Sequence, residues 1–197
     1  MSGYRVGYII GSLSTESINR ALARTLIRLA PTNLDFVEIP IRDLPLYNRD
    51  LDDDYPPAGR ALKDAIAAVD ALLFVTPEYN RGMPGVLKNA IDWASRPHGT
   101  NSFTHKPSAV IGASPGKIGT ALAQQSLRSA LSFCNSPQMN SPEAYIHYRK
   151  DLFDDDGNVL DESTASFLNR YMAEFAAFVQ RIYTVLPRPE GKAPKSA

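Results

Sequence analysis

The chain has 197 residues, of which 44% are hydrophobic and 21% are charged, a composition typical of one globular domain with a sizeable core. Its 21 acidic residues balance 21 lysines and arginines, and this neutrality argues against a nucleic-acid binder, which usually carries a basic excess. No apolar run is long enough to span a membrane, no signal peptide is legible, and the single cysteine, Cys134, excludes an internal disulfide and indicates a cytoplasmic location.

Strand-like and helix-like segments alternate along the chain. Apolar and β-branched runs predict strands at residues 4–10, 35–39, 71–77, 107–114 and 143–148. Helical spacing and capping residues predict helices at residues 17–30, 58–70, 84–95, 119–134 and 161–186. Residues 1–187 are expected to form a single domain, and residues 188–197 a disordered tail.

This alternation predicts an α/β fold, because parallel strands are joined by right-handed helical crossovers. We expect a three-layer α/β/α sandwich around a five-stranded parallel sheet of order 2-1-3-4-5. In such sheets ligands bind beyond the carboxyl ends of the strands, at the point where the strand order reverses. Three loops leave those ends, at residues 11–19, 76–84 and 112–119, and we expect them to contact one ligand.

The first loop lies within IIGSLSTESINRAL, residues 9–22, and has no basic residue before Arg20. The following helix offers unpaired N–H groups and about half a positive charge at its N-terminus. Hydroxyl groups are added by Ser12, Ser14, Thr15 and Ser17. Gly11 is expected to allow a sharp turn, and the Asn19 amide to brace the loop. The pattern predicts a site for a phosphate dianion, with ordinary serine capping of the helix as the alternative; Walker and GxGxxG patterns are absent here.

The second loop, within TPEYNRGMPGVLKNAIDW, combines stiffening prolines with two glycines, Gly82 and Gly85, that are expected to let it bend. A rigid loop of this kind can present backbone N–H groups to the edge of a flat heterocycle. Tyr79 is predicted to cover the ring, and Arg81 to meet a second substrate. The alternative is a structural turn whose tyrosine and arginine are merely solvated.

The segments GSLSTESINRAL and PEYNRGMPGVLKNAIDWASRP closely resemble the NAD(P)H-dependent FMN reductases, a flavodoxin-like family that includes chromate, quinone and azo-dye reductases. The resemblance implies noncovalent FMN, NADPH or NADH as co-substrate, and ping-pong hydride transfer to quinones, flavins, azo compounds or metal oxyanions. It also implies a homodimer, often paired into a homotetramer. A flavodoxin-type electron carrier, which binds FMN without its own NAD(P)H activity, is the alternative.

The resemblance also assigns cofactor contacts. It places the FMN phosphate on Ser12, Ser17, Ile18 and Asn19. It places the isoalloxazine ring beside Pro77, Glu78, Tyr79, Asn80 and Arg81. In the third loop, GASPGKIGT, it places Ser114, Gly116, Lys117 and Gly119 along the ring edge and ribityl chain. No metal and no separate acid–base or nucleophilic residue is expected, because the flavin carries the chemistry.

Position 14 departs from the family pattern. Many members read GSLR, with an arginine that contacts the phosphate, whereas this chain has Ser14. The missing charge predicts weaker FMN retention, or recruitment of Arg20 or of a residue from a neighbouring subunit.

The third loop also spells GxSxG, the nucleophile-elbow pattern of α/β-hydrolases, around Ser114. The elbow needs the backbone N–H of the residue after the serine, and Pro115 has none. The remaining triad members would have to be His147 and Glu143, on one predicted strand. Pro115 and the positions of His147 and Glu143 therefore argue against a hydrolase.

Overall fold

The structure is a computed structural model that describes residues 3–154 and 157–188. Within these ranges the strands are β1 (Tyr4–Ile10), β2 (Leu34–Glu38), β3 (Ala71–Val75), β4 (Ser108–Ser114) and β5 (Tyr145–His147). The α-helices are α1 (Ile18–Leu29), α2 (Pro57–Ala67), α3 (Gly85–Ser95), α4 (Ala121–Phe133) and α5 (Glu162–Val185). Element types and order agree with the sequence pattern, and the ends differ by a few residues.

The strands form one parallel sheet of order β2-β1-β3-β4-β5, which confirms the predicted topology. Because β1, β3 and β4 are adjacent and parallel, the loops that follow them leave the same edge of the sheet side by side. The strand β5 is short and pairs with β4 only from Gly112 to Ser114. Residues 137–139 add a single parallel bridge, between Gln138 and Ser108, at the other end of β4.

Helices cover both faces of the sheet, as a flavodoxin-like three-layer fold requires. On one face α1 and α5 bury apolar side chains such as Leu22 and Phe175. On the other, α2, α3 and α4 bury a second cluster that includes Ile66, Trp93 and Leu127. The strand β3 is buried along its whole length, which explains its nearly continuous apolar sequence.

Side-chain caps fix where two helices begin. Ser17 caps α1, because its hydroxyl accepts a hydrogen bond from the Arg20 N–H at 3.3 Å. Asp161 caps α5 and accepts from the Thr164 N–H at 2.8 Å. Hydrogen bonds from Thr164 and Ser163 lower the pKa of Asp161 to about 2.

The end of the described chain is attached to the sheet. Arg188, the first residue of the predicted tail, pairs with the Asp70 carboxylate at 2.7 Å and donates to the Gly3 carbonyl at 2.8 Å. The rest of the predicted tail, residues 189–197, lies outside the described residues. Cys134 is buried at the end of α4. Among the described helices none has the length and apolar character needed to cross a bilayer.

Candidate functional site

The first loop leaves two helix N–H groups without an acceptor. Ser17 accepts from the N–H groups of Arg20 and Ala21, whereas the N–H groups of Ile18 and Asn19 have no hydrogen-bond partner in the described part of the chain. The Ser12 hydroxyl is buried and accepts from the Ser14 N–H at 3.3 Å, so it shapes the loop. Free amides at a helix N-terminus are suited to an anion, and they fit a phosphate group.

Asn19 connects this loop to β4. Its carboxamide donates to the Ala113 carbonyl at 3.0 Å and accepts from the Ala113 N–H at 2.9 Å, and the side chain is only 2% exposed. The carboxamide pairs with both backbone groups of Ala113 as the peptide of a neighbouring strand would. The predicted bracing role is therefore present, but it joins the start of α1 to the strand β4, and only the Asn19 backbone N–H is left for a phosphate.

Two arginines near this loop, Arg20 and Arg42, are already engaged by other partners. Arg20 forms a bidentate ion pair with Glu38 at 2.8 and 2.9 Å, and its hydrogen bonds lower the pKa of that carboxyl group. Arg42 donates to the Leu13 carbonyl, a contact that sequence reasoning missed because the two residues lie on separate loops. Ser14 is exposed, so an arginine at this position would have room to extend.

Gly11 has a role different from the expected sharp turn. It has no positive φ angle, and a Cβ atom there would lie 2.9 Å from the Thr76 hydroxyl and 3.3 Å from Pro77. The glycine is required because the first loop packs against the start of the second.

The second loop is a tight hairpin. Tyr79 and Gly82 exchange backbone hydrogen bonds of 3.1 and 3.0 Å, and the positive φ angles fall on Asn80 (50°) and Arg81 (63°). The expectation that the glycines 82 and 85 supply the bend is wrong, because both central residues of this two-residue turn are left-handed, as in a type I′ turn. The turn exposes 51% of Tyr79 and leaves the N–H groups of Asn80 and Arg81 without a partner in the described chain.

Glu78 fastens this hairpin to α4. Its carboxylate accepts from the N–H groups of Leu122 and Ala123 at 2.9 and 3.1 Å, and it pairs with Arg81 at 3.1 Å. The helix has no side-chain cap of its own, so Glu78 caps it from a distant part of the chain. Only the backbone of Glu78 is available to a flavin ring, and Arg81 reaches a substrate only by leaving this ion pair.

The third loop is shaped by its serine and glycines. The Ser114 hydroxyl accepts from the Gly116 N–H at 3.1 Å, and Lys117 is exposed. Gly119 has a φ of 60°, and a Cβ there would lie 2.8 Å from the Tyr145 carbonyl carbon. Ser114 and His147 are register partners on neighbouring strands, but no hydrogen bond joins their side chains in the described structure.

The three loops therefore meet at one edge of the sheet with free amides at an anion-binding helix start and at an exposed aromatic hairpin. No described cluster of histidine, cysteine or carboxylate side chains is arranged to hold a metal ion. The donor set fits FMN: amides and hydroxyls for the phosphate, and backbone groups for the ring edge. This fold and this site define a flavodoxin-like flavoprotein.

Comparisons with known proteins identify the family. The model for NADPH-dependent FMN reductase matches residues 4–151. A 2-hydroxy-1,4-benzoquinone reductase of Burkholderia sp is 47% identical over 176 residues, covering 89% of this chain and 96% of that protein. A quinone reductase of Pseudomonas putida is 46% identical, covering 90% and 95%. The solved structure of FerB, a flavoenzyme NAD(P)H:(acceptor) oxidoreductase from Paracoccus denitrificans, has a TM-score of 0.87 at 46% identity and covers 90% of this chain and 98% of its own.

The chain belongs to the NADPH-dependent FMN reductase family, and it is an NAD(P)H-dependent flavin oxidoreductase with FMN as its cofactor. The predicted FMN contacts of individual residues stay predictions. Arg42, and the capping function of Glu78, are the features of this site that the sequence pattern did not signal.

Proposed function

We propose that this protein reduces quinones with NAD(P)H in a ping-pong cycle, at FMN held by the three loops. The observation that carries the proposal is the convergence of unpaired amides at the start of α1 and at the hairpin of Asn80 and Arg81 on one sheet edge. The names of the relatives at 46–47% identity favour a quinone over a free flavin, azo compound or metal oxyanion.

Each loop has a separate task in this proposal. The N–H groups of Ile18 and Asn19 bind the phosphate, assisted by the helix dipole, because no described cation is free within the first loop. The hairpin N–H groups of Asn80 and Arg81 orient the ring edge, and Lys117 is an exposed residue of the third loop. Bound FMN supplies reversible acceptance and release of a hydride.

Tyr79 and Arg81 define one shared place for both substrates. Tyr79 is exposed, and the Arg81 guanidinium is held beside it by Glu78. A nicotinamide and a quinone are both flat rings, so the first must leave before the second enters. This exclusion is the physical reason to expect ping-pong kinetics.

A homodimer, and its pairing into a tetramer, are part of the proposal. Phe133 at the end of α4 is 93% exposed beside a groove between α3 and α4 that contains Ser95, Arg96 and His98. In the proposed homodimer a second subunit covers this surface and removes the Phe133 side chain from water. Light scattering of the purified protein measures the assembly. A cytoplasmic location stays a prediction from the single cysteine.

The decisive experiment is kinetic. Anaerobic NADPH should bleach the flavin absorbance of the purified protein, and initial rates with benzoquinone should give parallel double-reciprocal lines. An electron carrier would bind FMN without sustained NADPH oxidation, and that result would overturn the proposed activity.

A second experiment tests the phosphate position. Ser14→Arg adds a charge to an exposed position of the first loop, and we expect it to tighten FMN binding about tenfold, as one added charge-assisted hydrogen bond of about 1.5 kcal/mol would. Unchanged affinity would argue against a phosphate beside this residue. Thr32→Arg, at an exposed position in the turn before β2, is the matched control, because it also adds one positive charge.

A further inference from the structure

A groove of about 440 Å³ adjoins the first loop on the side away from the second loop. It lies between the N-terminal half of α1 and the segment that connects β5 to α5. Its volume is within the range of about 300–1,000 Å³ found for small-molecule sites. Thr15, Ser17 and Ile18 line both this groove and the predicted phosphate position, whereas no residue of the second or third loop lines it. A ligand in the groove would therefore lie next to the phosphate of a bound flavin and away from the flavin ring.

The groove has two cations without an ion-pair partner in the described part of the chain. Arg24 and Lys150 face it from opposite walls, and neither has an ion pair or side-chain hydrogen bond in the described chain. The third cation, Arg20, is paired with Glu38. Among its carboxylates, Asp154 accepts two hydrogen bonds of 2.7 Å from Asn158.

The second carboxylate in the lining, Glu16, is exposed and lies in the first loop next to Thr15. Asp154 keeps its negative charge, because Asn158 is a neutral partner. The groove therefore has two cations, Arg24 and Lys150, and two carboxylates, and neither cation is bonded to a described carboxylate. The first loop itself has no lysine or arginine, so the cations available to an anion in this region are those on the walls of the groove.

One wall of the groove is aromatic. The rings of Tyr148 and Phe153 stack with centroids 6.2 Å apart and planes inclined by 28°, and both side chains are half-buried. A rigid pair of rings with an accessible surface suits a planar base, because aromatic stacking adds to the burial of apolar area. Cations on both walls together with an aromatic surface fit a nucleotide better than they fit a simple anion.

We infer that this groove binds the adenylate half of FAD, so that the protein accepts FAD as well as FMN. The second phosphate of the pyrophosphate lies between Arg24 and Lys150, and the adenine packs against the Tyr148 and Phe153 pair. The inference rests on the proposed position of the flavin phosphate at the start of α1. The 2′-phosphate of NADPH has related chemistry, but the nicotinamide must reach the flavin ring, and the groove adjoins only the phosphate end.

Calorimetric titration of the full-length, flavin-stripped protein with FAD and with FMN tests this inference. The double variant Arg24→Gln/Lys150→Gln should weaken FAD binding at least tenfold and change FMN binding less than twofold. Arg60→Gln, an exposed arginine on α2 at the opposite face of the sheet, is the control and should alter neither affinity.

The other outcomes separate the alternatives. No FAD binding, an unchanged FAD affinity in the double variant, or an equal loss for both flavins would overturn the inference. A rise in the KM for NADPH without a rise for NADH, with FAD affinity unchanged, would assign the groove to the NADPH 2′-phosphate instead. Failure to bind FMN would refute the proposed function itself, whereas FMN binding without FAD binding refutes only this inference.

Discussion

Replacing Asn19 by alanine removes a side chain that joins the start of α1 to β4. The variant leaves the buried N–H and C=O groups of Ala113 without their partners at 2.9 and 3.0 Å. A buried backbone group that loses its hydrogen bond costs about 1–3 kcal/mol, so the two groups together should lower the free energy of unfolding by about 2–6 kcal/mol. This is a large part of the roughly 5–15 kcal/mol that stabilises a typical domain.

Urea unfolding of the flavin-free protein measures the effect, with the fluorescence of the single, fully buried Trp93 as the probe. Asn169→Ala is the matched control, because Asn169 is exposed on α5 and makes one hydrogen bond of 3.1 Å, to Ala165. We expect the control to stay within about 0.5 kcal/mol of the natural protein, since alanine is the better helix former. A loss below about 1 kcal/mol for Asn19→Ala would refute the reasoning that this carboxamide substitutes for a strand.

Three further predictions concern the loops and the opposite edge of the sheet. Glu78→Gln replaces charge-assisted hydrogen bonds by neutral ones, so urea unfolding should show a free energy of unfolding that is lower by about 1 kcal/mol, and FMN titration should show a weaker affinity. Asp35→Asn is the control. A Glu78→Gln variant as stable as the natural protein would contradict the capping role. Gly119→Ala should cost at least about 2 kcal/mol, because its Cβ would collide with the Tyr145 backbone at a φ of 60°, and a folded variant of natural thermal stability would contradict this. Burial lowers the pKa of Lys106 from 10.5 to about 8, so the unfolded chain binds more protons than the folded chain between these pH values. The free energy of unfolding should therefore rise with pH across this window, by at most about 3 kcal/mol relative to Lys106→Met. A difference between the two proteins that stays constant with pH would contradict the pKa shift.

The local pattern of the chain was enough to predict the fold and the sheet edge at which the three loops lie. Apolar runs and helical periodicity are properties of neighbouring residues, so they identified the strands and helices before any contact was known. Alternation of these elements restricts the topology to a parallel sheet with right-handed crossovers, and this places the three loops at one edge. Ser17 and Asp161 stand at the first positions of two predicted helices, and both cap those helices in the structure, because a cap bonds to residues within one helical turn.

Only the tertiary structure decided how the loops are held. Asn19 and Ala113 are 94 residues apart, and Glu78 caps a helix that begins more than 40 residues later. The left-handed residues of the hairpin are Asn80 and Arg81, with glycine in neither position, and Arg20 is directed to Glu38 by the pairing of β1 with β2. Such contacts depend on which distant segments the folded sheet brings together, and the chemistry of a single loop does not specify its partner.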